Sequence, residues 1–375
     1  MREAAITVAD LGEFGLIAAI RGVLPPGDGQ VVGIGDDAAV ISAPDRRVVA
    51  TTDLLVEGVH FRLDWSSAFD IGCKAAAQNL ADVAAMGGRG TALLAGFATP
   101  PDVAAAWAEE LMRGLAAECA RVGAAVVGGD VTRADTIMLA ITALGDLAGR
   151  DPVRRSGAQP GDVVAVTGTL GASAAGLALL QAGLSGPATP PAGSAAPSAG
   201  PAAQGVRSAG RGAGSAGLGE GRPAASAGTP GAALSEPLAA LLAAHRRPSP
   251  PYPAGPQAAD LGATAMIDIS DGLVADLGHI AEASGVQVNI SAGQLGASGA
   301  VPAGPLREAA LLLGRAEWLS WALAGGEDHA LAATFPASVV LPEPWSPIGM
   351  IGLGSGVLVD GQQREDLSGW DHFRG

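Results

Sequence analysis

Acidic residues in this 375-residue chain gather where glycine and threonine also gather. Gly33-Ile-Gly-Asp36-Asp37, Thr51-Thr52-Asp53, Asn79-Leu-Ala-Asp82, Gly128-Gly129-Asp130 and Asp268-Ile-Ser270-Asp271-Gly272 set carboxylates beside hydroxyls or glycines, mostly where an apolar run ends. Carboxylates and hydroxyls together form a hard-oxygen environment that suits Mg²⁺ and not zinc. Glycine beside the acids lets backbone N–H groups approach phosphate oxygens closely. One such piece is an ordinary turn, because Asp and Gly are turn residues. Five in one chain point to metal-assisted phosphate chemistry.

The usual nucleotide signatures are absent. Gly33-Ile34-Gly35 leads into two acids, which would repel a pyrophosphate, so a dinucleotide site does not fit. Gly168-Thr-Leu-Gly171 sits between a strand-like and a helix-like run but lacks the Gly-Lys-Ser/Thr of a Walker loop. It is either a tight strand-to-helix turn or a phosphate loop of another kind. His60, His245, His279, His329 and His372 show no metal-binding spacing, and Cys73 and Cys119 stand far apart, so zinc has no support.

These residues need elements to hold them. Short β-branched or apolar runs bounded by Gly, Asp or Pro predict strands at Val31–Ile34, Arg47–Thr51, Thr91–Phe97, Ala124–Val127 and Ile137–Leu144. Helices are expected at Glu13–Arg21, Phe69–Ala85 and Asp102–Val122, the last capped by Asp102 after Pro100-Pro101. After Gly161-Asp162 the pattern repeats. A strand at Val163–Thr167, a helix at Ala172–Gln181, a strand at Ala265–Ile269, a helix at Gly272–Ser284 and a strand at Val286–Ile290 follow. The expected fold is α/β (α+β) in two domains, 1–149 and 150–375. The second is interrupted at 185–235, where 41 of 51 positions are Ala, Gly, Pro or Ser. That composition buries too little apolar area to offset chain entropy and predicts a disordered insertion; a flexible lid is the functional alternative.

Composition narrows the partners. With 22 Lys+Arg against 37 Asp+Glu, the net charge of −15 would be repelled by a nucleic-acid backbone or an anionic membrane. Phosphate substrates remain open, since metal ions bridge them to carboxylates. Two cysteines, no basic segment leading an apolar run at the N-terminus and no long uninterrupted apolar stretch give the expectation of a soluble, cytoplasmic protein.

Taken in order, the motifs resemble the thiamine-monophosphate kinases. They are Gly12-Glu-Phe-Gly-Leu-Ile, Gly33-Ile-Gly-Asp-Asp-Ala, Thr52-Asp-Leu-Leu-Val-Glu-Gly-Val-His60-Phe and Asn79-Leu-Ala-Asp-Val-Ala-Ala-Met-Gly. Gly128-Gly-Asp-Val-Thr-Arg, Arg154-Arg-Ser-Gly-Ala-Gln-Pro-Gly-Asp, Ile267-Asp-Ile-Ser-Asp-Gly-Leu, Gly325-Gly-Glu-Asp and Trp370-Asp-His-Phe complete the series. Single pieces are shared with a wider superfamily that includes aminoimidazole ribonucleotide synthetase and selenophosphate synthetase.

The resemblance implies a two-domain fold like that synthetase, with the N-terminal sheet pairing across a homodimer and ATP held between domains. It implies transfer of the γ-phosphoryl group of ATP to thiamine monophosphate, giving thiamine diphosphate, with several Mg²⁺ ions. Carried over motif by motif, it implies magnesium ligation by Asp37, Thr51, Thr52, Asp53, Asp82, Asp130 and Asp268, with Asp271 close by. Gly129, Asp130, Arg155 and Ser270 would touch ATP; His60, Glu327 and Trp370 would touch the thiamine substrate. One departure stands out: where the family usually continues Gly-Gly-Glu-Asp with an aromatic and an acid, this chain has His329-Ala330.

The chemistry agrees with that implication. The attacking group is already a phosphate oxygen, so no general base is assigned; positioning and charge neutralisation do the work. Two other readings compete: a sister enzyme of the superfamily acting on a different metabolite, and a non-catalytic regulatory homologue. The intact Thr52-to-His60 block opposes the first, and the filled carboxylate positions oppose the second.

Overall fold

In the computed structural model, residues 6–32, 39–184 and 234–364 are described. Asp37, Trp370 and all but Leu234 and Ser235 of the low-complexity stretch lie outside them.

The first half of the chain runs α1 (Val8–Val23), β1 (Gln30–Val32), β2 (Val40–Ile41), β3 (Val49–Val56), α2 (Ala68–Ala85), β4 (Arg89–Thr99), α3 (Ala105–Ala120), β5 (Ala125–Arg133) and β6 (Met138–Asp146). A four-stranded sheet forms in the order β3-β6-β4-β5, antiparallel except for β4–β5. Alternation along each strand gives this sheet two unlike faces. Leu55, Leu93, Phe97, Leu139 and Ile141 enter the core against α2 and α3, whereas Leu54 and Met138 point the other way and stay exposed. Part of that second face, at Ala92, Ala125 and Val127, is covered by Ala39 and Ile41 beside and within the β1–β2 pair.

The start of α3 corrects an expectation. Asp102 does not cap it: the helix begins at Ala105 with no side-chain cap. The Ala105 N–H instead donates to the Ile6 carbonyl (2.9 Å), so the incoming N-terminal segment fills the role assigned to a carboxylate.

The second half comprises β7 (Val163–Thr167), α4 (Ala172–Gln181), α5 (Glu236–Arg246), α6 (Ala254–Asp260), β8 (Ala265–Ile269), α7 (Leu273–Ser284), β9 (Gln287–Ile290), α8 (Ala292–Ala297), α9 (Ala303–Leu312), α10 (Leu319–Ala324), β10 (Ala330–Phe335), β11 (Ser346–Gly352) and β12 (Gly356–Val359). Six strands form a mixed sheet in the order β12-β9-β11-β7-β10-β8. β7, α4 and β8 lie where the residue pattern placed them. β7, β10 and β8 are buried on both faces, as their continuous apolar runs require. Val164, Val166, Ile267 and Ile269 pack among the helices of this half, while Ala165, Met266, Leu331, Ala333 and Phe335 join the core of the first half. That second set matters for the site, because it turns one face of β8 toward α2. Among the described residues, no helix is long and apolar enough to cross a membrane.

Candidate active site

β3 is an edge strand, so its free N–H groups need partners. Asp53 N–H donates to Asn79 Oδ1 of α2 (3.1 Å), and Asn79 Nδ2 donates to the Ala75 carbonyl (3.0 Å). Asp82 follows Asn79 by three residues and therefore shares its helix face. It accepts from Thr51 Oγ1 (2.7 Å), two positions before Asp53 and therefore on the same side of β3. From the second half, β8 delivers Asp268. Burial first, and then repulsion from Asp268, push the Asp82 carboxyl up to about 7; Asp53 adds to the repulsion, and the Thr51 hydroxyl and His329 oppose it. Thr51, Asp53, Asp82 and Asp268 thus form one acidic cluster drawn from both halves.

His329, the departure from the family pattern, sits beside this cluster. Its Nδ1 lies 3.3 Å from Asp268 Oδ2. Burial disfavours the imidazolium, but the Asp268 contact, with the charges of Glu327 and Asp82, raises its affinity for a proton above the ordinary imidazole value.

Two loops are joined next to the cluster. Glu327 N–H donates to the Ser270 carbonyl (2.8 Å), and His329 N–H donates to the Ile269 carbonyl (3.0 Å). This approach needs glycine at 326, where a Cβ would stand 2.3 Å from the Ser270 oxygen. Gly326→Ala should therefore push the loops apart and lower the melting temperature, a drop that a thermal unfolding scan would read directly. Glu327 and His329 both hold left-handed backbone, with φ of 63° and 52°. Such strain in non-glycine residues collects at functional sites and persists only when surrounding contacts impose it.

Those contacts are on hand for three successive side chains. Glu327 Oε1 pairs with Lys74 Nζ of α2 (2.9 Å), and Glu327 Oε2 lies 3.4 Å from His245 Nδ1 of α5. Asp328 accepts from Gly171 N–H (2.5 Å) and Ser173 N–H (2.8 Å). The donors that a phosphate loop would offer at the start of α4 are thus held by a resident carboxylate, and Gly168–Gly171 is a strand-to-helix turn. Burial outweighs those two donors and pushes the Asp328 carboxyl up to about 7. Asp276, which accepts from Asp271 N–H and Gly272 N–H (3.1 Å each), is also pushed up to about 7, by burial and then by Asp268.

Several other residues singled out by sequence lie outside this cluster. Thr52 and Asp130 belong to strand positions on the sheet face opposite the acidic cluster. There Thr52 Oγ1 accepts from Thr142 Oγ1 (3.1 Å) and donates to the Ile141 carbonyl (3.0 Å). Gly129, one position before Asp130, lies so close to β4 that a Cβ would stand 2.0 Å from the Ala95 oxygen. His60 Nδ1 accepts from Val56 N–H (3.0 Å), and its carbonyl accepts from Lys74 Nζ (3.1 Å). Arg155 is exposed, its carbonyl accepting from Ser284 Oγ (3.2 Å).

Among the described residues, no three His, Cys, Asp or Glu side chains stand close enough to hold an ion alone. Oxygen donors that repel one another in a partly buried cluster fit Mg²⁺ all the same. That ion takes one or two carboxylates and completes its shell with water and substrate phosphates. Lys74, Asn79 and Asp328 gained no role from sequence; for Lys74 the signal was present, a single charge inside the small, apolar run Ile71–Ala77.

Residues 35–147 match the family described as AIR synthase related protein, N-terminal domain. The chain is 42% identical to a thiamine-monophosphate kinase of Mycobacterium tuberculosis over 98% of its own length and 93% of that protein. The thiamine-monophosphate kinase from Stenotrophomonas maltophilia K279a superposes with a TM-score of 0.71 at 32% identity, covering 93% of this chain and 96% of that one. AaThiL complexed with AMPPCP and TMP gives 0.69 at 30% identity, covering 97% and 98%. Identity sustained across nearly the whole chain, together with the shared two-sheet architecture, makes this protein a member of the thiamine-monophosphate kinase family.

Proposed function

We propose that this chain transfers the γ-phosphoryl group of ATP to the phosphate of thiamine monophosphate, giving thiamine diphosphate. The observation that carries the reading is the junction of two groups across the halves of the chain: the acidic cluster Thr51–Asp53–Asp82–Asp268, and beside it His60 and Glu327 tied through Lys74.

Glu327 suits a substrate with a permanently cationic thiazolium ring. Burial opposes its ionisation, but Lys74 and then His245 hold its carboxyl down to about 2, so it is an anion at any working pH. One third of its side chain remains exposed to receive a ligand. No side chain is required to take a proton from an acceptor that is already an anionic phosphate. The residues hold both substrates in line, and Asp53, Asp82 and Asp268 would hold Mg²⁺, which when bound neutralises charge on the phosphates. Asp37, Thr52, Asp130 and Asp271 as further ligands, Gly129, Arg155 and Ser270 at ATP, and Trp370 at thiamine complete the assignment on family resemblance. So do domains at 1–149 and 150–375 and a cytoplasmic location. The apolar open face of the four-stranded sheet supports a homodimer built on that face.

The test is a coupled assay with ATP, Mg²⁺ and thiamine monophosphate. Thiamine diphosphate should appear in equal amount to ADP, and a chelator should stop it. ATP consumption without thiamine diphosphate, or a better acceptor in a panel of metabolites, would transfer the protein to another reaction of the superfamily.

A further inference from the structure

We propose that Lys74 is a positioning residue for the thiamine-phosphate pocket, its ammonium fixing the His60 carbonyl and the Glu327 carboxylate in one arrangement across the two halves of the chain. The inference rests on the functional reading above and extends it to a residue outside the acidic cluster.

The placement of Lys74 is costly for a helix whose neighbours are small and apolar. It lies on α2 among buried Cys73, Ala75, Ala76 and Ala77, and is itself only 3% exposed. A buried ion pair is weak support for stability, since well-packed apolar residues of like volume often serve as well or better. A positional role accounts for the cation where a stabilising one does not. Two partners are engaged, His60 O at 3.1 Å and Glu327 Oε1 at 2.9 Å, and they come from opposite halves. Glu327 has strained backbone, so its side chain needs an anchor to hold one direction. His245 supplies the second anchor at Oε2 and is braced by Ser173 Oγ, 3.1 Å from Nδ1. Burial and the nearby Lys74 charge lower the His245 pKa to about 3, so it orients Glu327 as a neutral ring and leaves Lys74 as the cation of the group.

The experiment is a double-mutant cycle on the full chain with Lys74→Met and Glu327→Gln. It reads KM for thiamine monophosphate, KM for ATP, and melting temperature. Wild-type turnover of thiamine monophosphate, measured first, tests the functional reading by itself; its absence would end that reading before the variants are compared. Lys74→Met should raise KM for thiamine monophosphate roughly ten-fold while KM for ATP stays within about two-fold. In the Glu327→Gln background the same change should add less than about two-fold, because the group being positioned is already altered. Equal rises in both KM values, or a full effect in the Glu327→Gln background, would overturn the proposal; the latter is what direct contact between Lys74 and substrate would give. Should Lys74→Met fail to fold, Lys74→Arg keeps the charge and replaces a point donor with a planar fork. A selective rise in KM for thiamine monophosphate then supports the positioning role, and unchanged or uniformly changed constants overturn it.

Discussion

Asp82→Asn is expected to lower kcat by about 100-fold or more while raising the melting temperature of the metal-free protein at neutral pH. The two effects share one cause. The cluster proposed to hold cation and phosphate brings like charges together in a partly buried place, and the unliganded protein bears the cost. Asp82 has an ordinary value of 3.8 and is pushed up to about 7, by burial first and Asp268 second. Since the folded form binds its proton more tightly than the unfolded form, folding is favoured most below the unfolded value. That advantage is lost as pH rises through the folded value. The Asn variant escapes this loss, and its amide oxygen still accepts from the Thr51 hydroxyl. Its advantage in melting temperature should therefore be small near about pH 4 and grow toward about pH 7.5. Asp276 and Asp328 remain in both proteins and are shifted the same way, so both should lose stability with rising pH over that window, the wild type more steeply. Added Mg²⁺ should stabilise the wild type and do less for the variant, because an ion that binds only the folded state raises its stability by mass action. Melting curves in chelator across the pH range, repeated with Mg²⁺, give the comparison. A variant less stable than wild type at pH 7.5, or a difference that does not vary with pH, would show that Asp82 is not under electrostatic load.

Much of this cluster was legible in the chain, and the reason is local. Thr51, Asp53 and Asp82 sit at spacings that place each on one face of its own element, and glycine or threonine beside an acid is a signal within a few residues. β7, α4 and β8 were legible for the same reason: a β-branched run, a turn glycine and an apolar helical stretch follow in order. β10 was not. Its sequence, Ala-Leu-Ala-Ala-Thr-Phe, suits a helix at least as well. Pairing with β7 and β8 on either side decides the outcome, and neither neighbour is close in sequence. The anchors of the Glu327 loop were hidden by the same distance. Nothing near Asp328 announces that Gly171 and Ser173, more than 150 positions earlier, will donate to it. Asp102 misled for the converse reason: its local signal was sound, but a distant carbonyl, Ile6, took the helix N–H first.

The open face of the four-stranded sheet leads to the second large effect. On the proposed pairing, the wild type should be a dimer at micromolar concentration and Leu54→Glu a monomer. Along β3, Thr51, Asp53 and Leu55 turn toward α2, so Ala50, Thr52 and Leu54 must turn away. The register places Leu54 beside Ala140, and Ala140 beside Gly96, while Met138 lies one row further on. Small residues between two exposed apolar side chains make a flat surface with little to repel a second copy of itself. Leu54 leaves 56% and Met138 37% of its surface in water, a cost that a two-fold pairing would relieve on both copies at once. A glutamate at 54 would be buried twice in that pairing, once from each copy, with no basic partner in its row. Burial of unpaired charge costs several kcal/mol, so dissociation should be favoured by about 100-fold or more. Leu54→Ala removes apolar area without adding charge and should weaken the dimer only mildly. Light scattering across a dilution series reads all three proteins directly. Thr52 and Asp130 share this face with Leu54, so a dimer that survives Leu54→Glu unchanged would move the interface elsewhere and leave those two residues facing solvent.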